Sequence, residues 1–211
     1  MDTGVAVRSS RPWFAVAGLI GILTVMLAGY AIRGRPGARP LGVDTVWRSY
    51  LTQHRSVWLE YPSLALNLIG GTLVTVMVTA AIMIAFSLAH RRWAAAFVGL
   101  AVVLAMILSA VIKLVIHRVR PDDSLVTVTS GAFPSGHTTT AAALAVSLAL
   151  LFARWWVWSL AVVWVLAMAF GRTYLFAHWL SDTAGGAILG LSVALLLWAP
   201  AASRLRRQKL D

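Results

Sequence analysis

The chain has no cysteine among its 211 residues, so it can form neither a disulfide nor a thiolate nucleophile, and it offers no cysteine ligand to a metal. Charged residues are also scarce, at 12% of the chain against about 25% in soluble proteins. Only 7 residues are acidic, against 18 lysines and arginines, which gives a net charge of +11. This composition leaves too few polar residues to cover a large soluble domain.

Apolar residues make up 60% of the chain, and the mean hydropathy is +0.81. They are gathered in long runs, each near the ~20 residues that a helix needs to cross a bilayer. We therefore predict an all-α, polytopic membrane protein in which residues 1–211 form one membrane domain. The predicted six transmembrane helices cover residues 13–32, 63–89, 94–119, 136–153, 156–176 and 179–199.

The first apolar run follows Arg8 and Arg11, as the apolar core of a secretory signal would. Its core is longer than the 7–15 residues typical of signal peptides, and no A-x-A-like cleavage site follows it. We therefore expect a retained membrane helix.

Residues 33–62 separate the first two runs. Pro36, Gly37 and Pro40 predict an irregular turn. From Val43 to Tyr61, aromatic and aliphatic residues recur at steps of three or four, which favours a helix lying in the membrane surface. A polar loop with buried aromatics is the alternative.

The positive charge does not indicate nucleic-acid binding, because the basic residues are scattered between apolar runs instead of forming one patch. Six spans would place both termini on one side, with nine of the 18 basic residues there. With Lys113, Arg120 and Arg172 set aside as functional, six remain opposite, which predicts cytoplasmic termini. The terminal-side residues are Arg8, Arg11, Arg91, Arg92, Arg154, Arg204, Arg206, Arg207 and Lys209; the opposite ones are Arg33, Arg35, Arg39, Arg48, Arg55 and Arg118.

Three polar clusters interrupt the apolar pattern, and the first closes the third run. Lys113 and Arg120 are seven residues apart, which places them on one face of a continuous helix, and Pro121 ends it. Two neighbouring cations predict a bound anion. Snorkelling to the lipid headgroups is the alternative; it suits Arg118 and Arg120 better than Lys113, which lies deeper.

The second cluster, Pro134-Ser135-Gly136-His137, opens the fourth run. Ser135 is a candidate N-cap, and Gly136 permits close approach of a ligand to the backbone. The free N–H groups and dipole of a helix start favour an anion, which His137 would touch. By itself, this cluster is more typical of an ordinary helix cap with a histidine near the membrane interface.

The third cluster runs from Gly171 to Asp182. His178 and Asp182 are four residues apart, so on a helix the carboxylate would orient the imidazole. A buried polar pair that fixes helix packing is the alternative. Arg172 adds a guanidinium that matches phosphate oxygens in pairs. Taken together, the three clusters suit phosphoryl transfer, with cations for the oxygens, a nucleophile and an acid.

These clusters resemble the type 2 phosphatidic acid phosphatase (PAP2) superfamily, whose three motifs are K-x6-R-P, P-S-G-H and S-R-x5-H-x3-D. The matching segments are Lys113 to Pro121, Pro134 to His137 and Arg172 to Asp182, within residues 113–182. Gly171 stands where the family often has serine, which removes one hydroxyl donor.

The resemblance implies a metal-independent phosphatase without a cofactor. His178 would attack phosphorus to form a phosphohistidine, Asp182 would orient it, and His137 would protonate the leaving oxygen. Phosphate would be bound by Lys113, Arg120, Ser135, Gly136 and Arg172. Asp122 and Asp123, which look like a metal pair, are interpreted as solvated turn residues.

A lipid phosphate is favoured as substrate because the clusters lie at span ends, at the membrane surface. We expect an isoprenoid diphosphate such as undecaprenyl diphosphate first, and phosphatidylglycerol phosphate or phosphatidic acid next. The alternatives are a transporter or lipid-binding protein that holds an anion on the cations, and an intramembrane serine protease with a Ser135–His178 dyad. No protein partner is inferred.

Overall fold

The computed structural model describes residues 12–35 and 38–207. The predicted features at Arg8, Arg11, Pro36, Gly37 and Lys209 lie outside these residues. Within them, the chain forms eight helices and no strand, so the predicted all-α class is confirmed. The helices are α1 (Pro12–Arg33), α2 (Gly42–Gln53), α3 (Val57–Ile69), α4 (Thr72–Leu88), α5 (Arg92–Ile116), α6 (Gly136–Phe152), α7 (Trp155–Tyr174) and α8 (Leu180–Arg207).

Four helices, α1, α5, α7 and α8, are each long and apolar enough to cross a membrane. Helices α3 and α4 pass the same test only as a pair, and they are bent by 59° at their junction. Helix α6 is apolar but has 17 residues, a length of about 26 Å at 1.5 Å per residue. The described chain is thus a multi-pass membrane protein with four helices long enough to span, or five with the bent pair.

The predicted second span, residues 63–89, is not one helix. It breaks at Gly70 and Gly71, and α3 begins earlier, at Val57. Ser56 caps α3 by accepting a hydrogen bond from the Trp58 N–H at 3.3 Å. The prediction of one continuous helix between Val43 and Tyr61 is therefore wrong. Helix α2 ends at Gln53, and α3 starts after the Ser56 cap.

Helix α8 lies at the centre of the bundle, against α1, α5 and α6. Gly186 and Gly190, four residues apart, allow its backbone to approach α6. A Cβ atom on Gly190 would lie only 2.2 Å from the Thr139 carbonyl oxygen. Such small residues at a helix contact are typical of membrane proteins, where close packing replaces the hydrophobic effect. This contact fixes the start of α8 beside the start of α6, where the Ser135 N–H donates to the Asp182 carbonyl at 2.9 Å.

The membrane helices end earlier than predicted at the polar clusters. Helix α5 stops at Ile116, followed by His117 in a left-handed conformation with φ 50°. Helix α7 stops at Tyr174, and α8 begins at Leu180. Arg118, Arg120 and His178 therefore lie in the connections at 117–135 and 175–179, which bring them to the ends of α5, α6 and α8.

Candidate active site

A cavity of about 860 Å³ lies at these helix ends. It brings together six of the eight predicted site residues, while Ser135 and Asp182 are buried behind it. The six in its lining are Lys113, Arg120, Gly136, His137, Arg172 and His178.

Two cations of the cavity lining, Lys113 and Arg120, donate hydrogen bonds to the same main-chain carbonyl. The Lys113 Nζ donates to the Gly131 carbonyl at 2.8 Å, and the Arg120 Nη2 donates to the same oxygen at 3.2 Å. Arg120 Nε also donates to the Ser130 carbonyl at 2.8 Å. Because α5 ends at Ile116, these cations do not share a helical face as predicted. The connection folds back and brings them together instead.

His178 lies between a guanidinium and a carboxylate. Its Nε2 is 3.0 Å from Arg120 Nη1, and its Nδ1 is 3.5 Å from Asp182 Oδ2. A guanidinium can only donate hydrogen bonds, so Nε2 carries the lone pair and Nδ1 carries the proton that faces Asp182. The tautomer thus leaves Nε2 as the unprotonated nitrogen, which faces Arg120 of the cavity lining.

His178 is held in its neutral form by its surroundings. Its side chain is 2% exposed, and this burial lowers its pKa well below the ordinary value of about 6.5. The cations Arg120, Lys113 and Arg172 lower it further. Burial also lowers the pKa of Arg120, and the negative charge of Asp182 partly opposes this shift. A guanidinium nonetheless titrates far above neutral pH. Near neutral pH the site therefore combines an uncharged imidazole with a charged guanidinium.

Asn67, on α3, contacts two residues of the cavity lining. Its side-chain oxygen accepts from Arg172 Nη1, and its main-chain carbonyl lies 3.1 Å from His137 Nε2. A carbonyl only accepts, so His137 carries its proton on Nε2. Asn67 was missed in the sequence, where its only signal is a single amide in an apolar run.

Ser135 occupies the N-cap position of α6, but its side chain makes no capping hydrogen bond. It is fully buried, and its Oγ accepts from Thr138 Oγ1 at 3.1 Å. Its placement outside the cavity lining disfavours the Ser135–His178 protease dyad. Gly171 faces α3, where an added Cβ would lie 3.3 Å from Leu66 Cδ1.

The sequence suggested that Arg118 snorkels to the lipid headgroups, but the structure buries this side chain. It is 1% exposed and joins two carboxylates, with Nη2 at 2.6 Å from Asp44 Oδ2 and Nη1 at 2.5 Å from Asp182 Oδ1. Asp44, in the first turn of α2, was also missed. In the sequence it is indistinguishable from an ordinary acidic residue at a helix start.

Asp122 and Asp123 are exposed in a turn, and Asp123 pairs with Arg48 at 2.6 Å. Across residues 12–35 and 38–207, no group of three or more histidine or acidic side chains is arranged to hold a metal ion.

Residues 94–205 match the PAP2 superfamily. A crystal structure described as the first transmembrane PAP2 type phosphatidylglycerolphosphate phosphatase from Bacillus subtilis is similar, with a TM-score of 0.76 and 23% identity. The similarity covers 90% of this chain and 97% of that one. No curated protein matches significantly. The family match covers more than half of the chain and contains all eight predicted site residues, and on this ground the chain belongs to the PAP2 superfamily.

Proposed function

We propose that this protein is a membrane lipid phosphatase that hydrolyses the phosphate monoester of a glycerophospholipid through a phosphohistidine on His178. The observation that carries the proposal is the His178 imidazole, with its Nε2 lone pair on the cavity side, Asp182 behind it and cations around it. Mere anion binding would need the cations but not the oriented nucleophile. For this reason the phosphatase is favoured over a transporter.

In the proposed reaction, the Nε2 atom attacks phosphorus as the ester P–O bond breaks. Lys113, Arg120 and Arg172 stabilise the charge on the phosphoryl oxygens. His137 enters this step as the imidazolium, with one proton on Nε2 facing the Asn67 carbonyl, and gives its second proton, from Nδ1, to the leaving oxygen of the lipid alcohol. His137 then takes a proton from a water that attacks the phosphohistidine. Inorganic phosphate leaves, and both imidazoles return to their starting forms.

The substrate order differs from the one expected from the sequence. The similar fold belongs to a phosphatidylglycerolphosphate phosphatase, which supports phosphatidylglycerol phosphate as the first candidate and phosphatidic acid as the next. An isoprenoid diphosphate comes after them. Met106, Ala110 and Leu114 extend the cavity lining along α5, which suits the apolar part of a lipid.

The test is phosphate release by detergent-purified protein with a chelator present. The substrates are phosphatidylglycerol phosphate, phosphatidic acid and undecaprenyl diphosphate. We expect release that is unaffected by the chelator and fastest from the first lipid. A folded protein that binds inorganic phosphate but releases none from any lipid would contradict the proposal and favour transport.

The proposed topology has six crossings, with α3 and α4 as one broken span and α6 as a short one. Both termini would then be cytoplasmic and the cavity extracytoplasmic. A reporter fused after Asp211, which lies outside the described residues, tests the orientation. We expect a cytoplasmic reporter to be active there, and activity of an extracytoplasmic one would reverse the assignment.

The lowered pKa of His178 predicts activity on the acid side of neutrality. A histidine with a depressed pKa stays neutral, and so nucleophilic, until the pH falls below that pKa. We therefore expect the acid limb of kcat/KM that belongs to His178 to lie below about pH 6.5. The profile is repeated with a diphosphate lipid, whose own ionisations differ. A limb at or above that value with both substrates would contradict a neutral, buried His178.

We expect the Ser109 hydroxyl to donate a further hydrogen bond to the bound phosphate. Its hydroxyl is buried without a partner among the described residues, and it lines the cavity one turn before Lys113. A Cβ on Gly136 would lie 3.8 Å from this hydroxyl, which places it beside the start of α6. One new hydrogen bond contributes about 1 kcal/mol, or roughly fivefold in affinity. We expect Ser109→Ala to raise KM by about that factor.

Ser147→Ala is the matched control. The Ser147 hydroxyl is also buried and unpaired among the described residues, but it lies outside the cavity lining. Its removal should leave KM unchanged. Equal effects of the two substitutions would show that Ser109 acts through helix packing and not through the substrate.

A further inference from the structure

We propose that Asp44 on α2 is a positioning residue, which acts through Arg118 to hold the Asp182 carboxylate against His178. The inference rests on the proposed function, because its readout is phosphate release. It is carried by a buried chain of contacts that runs from α2 through Arg118 to the start of α8.

Arg118 divides its guanidinium between two carboxylates. Nη2 binds Asp44 Oδ2 at 2.6 Å, and Nη1 binds Asp182 Oδ1 at 2.5 Å. All three side chains are fully buried. A buried charge that loses its partner is strongly unfavourable, so each member constrains the other two.

Asp44 is itself fixed from two directions. Its Oδ1 accepts from the Ser181 N–H at 2.8 Å, and its Oδ2 accepts from the Ser181 hydroxyl at 2.8 Å. Oδ2 also accepts from the Leu41 N–H at 2.9 Å, at the start of α2. Since Ser181 directly precedes Asp182, Asp44 holds both the main chain next to the catalytic carboxylate and its guanidinium partner.

The contacts of Asp44 and Arg118 determine where the second carboxylate oxygen of Asp182, Oδ2, lies. Oδ2 accepts from the Trp179 N–H at 2.8 Å and faces His178 Nδ1 at 3.5 Å. While Asp44 occupies the Nη2 arm of Arg118, the Nη1 arm binds Asp182 through Oδ1 alone and also donates to the Ser181 hydroxyl at 2.8 Å. Without the charge on Asp44, both arms would be free to bind Asp182, since a guanidinium and a carboxylate pair readily through two hydrogen bonds. Oδ2 would then be drawn away from His178.

Neither Asp44 nor Arg118 lines the cavity, so neither is placed to bind phosphate. Their loss should therefore slow the chemical step and leave substrate binding intact. Asp44 also lies outside residues 94–205, which match the family. Asp182 is thus positioned in part by a residue that precedes the family match.

The test is Asp44→Asn, which keeps the shape and removes the charge. We expect kcat to fall roughly 10- to 100-fold, as when partners that orient a reactive side chain are removed, with KM within about twofold. Asp123→Asn is the matched control. It breaks the exposed Arg48–Asp123 pair, which also joins α2 to the 117–135 connection, and it should leave kcat unchanged.

A double-mutant cycle separates positioning from general loosening. If Asp44 acts through Asp182, Asp44→Asn should change kcat less than about twofold in the Asp182→Asn background. A wild-type kcat in Asp44→Asn, or an equally large loss in both backgrounds, would overturn the inference. Absence of release by the wild type would instead refute the proposed function, and this inference with it.

If Asp44→Asn does not fold, Arg118→Lys keeps all three buried charges but replaces the two-armed guanidinium by a single ammonium, which cannot hold the two carboxylates in the same geometry. A folded Arg118→Lys variant with reduced kcat and unchanged KM supports the positioning role. A folded Arg118→Lys variant with wild-type kcat overturns it.

Discussion

His178→Ala should abolish phosphate release from every lipid phosphate, by roughly 10⁴-fold or more, as loss of the nucleophile does in other covalent enzymes. The reason is that, in the proposed mechanism, Nε2 of this side chain attacks phosphorus. Binding of inorganic phosphate should persist, because Lys113, Arg120 and Arg172 remain in the cavity. The measurement is phosphate release beside phosphate binding in the same detergent-purified preparation.

His54→Ala serves as the control for this prediction. The His54 ring is exposed, stacks on Tyr50 and lies outside the cavity lining. Its removal should leave release unchanged. Release that survives in a folded His178→Ala variant would show that another group, or water itself, attacks phosphorus.

His137→Ala should have the second-largest effect, and the size should depend on the leaving group. General-acid catalysis contributes typically about 10²- to 10⁴-fold, and a lipid alcohol is a poor leaving group that needs the proton. An aryl phosphate with an acidic phenol leaves without it. We therefore expect a loss in this range with a lipid phosphate and a much smaller loss with p-nitrophenyl phosphate.

The comparison uses kcat for both substrates in wild type and variant. Equal losses of kcat with both substrates would show that His137 does not act as the general acid and only binds phosphate. Arg172→Lys is the reference, since it alters phosphate binding without touching proton transfer. Its effect should be similar for the two substrates.

The positions of the candidate site residues were predictable from the sequence because charged and imidazole side chains are costly to place in apolar runs. Lys113, His137 and Arg172 lie within or at the ends of apolar runs, where a charge or imidazole needs a reason. Their spacing then matched the PAP2 motifs. The cavity that gathers them was not predictable in form, because His117 turns the chain out of the helix and the connection carries Arg120 back.

What escaped prediction depends on contacts between distant parts of the chain. Arg118 resembled a snorkelling arginine because its partner Asp44 is 74 residues away. A hydropathy pattern reports how apolar a segment is and not which side chain will meet it. Asn67 escaped for the same reason, since it meets Arg172 across 105 residues.

The break between α3 and α4 was hidden in a different way. A window average over residues 63–89 is high on both sides of Gly70 and Gly71, so the run looks continuous. The 59° bend lies at the glycine pair, just after Asn67, which contacts His137 and Arg172 of the cavity lining. Both glycines have negative φ, and a Cβ atom on Gly70 would lie 2.5 Å from Met168 Cε, so close packing, which hydropathy does not measure, requires glycine there.

The most direct test of the account is to look for the covalent intermediate. Wild-type protein is mixed with lipid labelled in its terminal phosphate and quenched with alkali within one turnover. We predict label on the protein that survives alkali, is lost in acid, maps to His178 and is absent from His178→Ala. Turnover without any labelled protein, or label on another residue, would contradict the phosphohistidine mechanism.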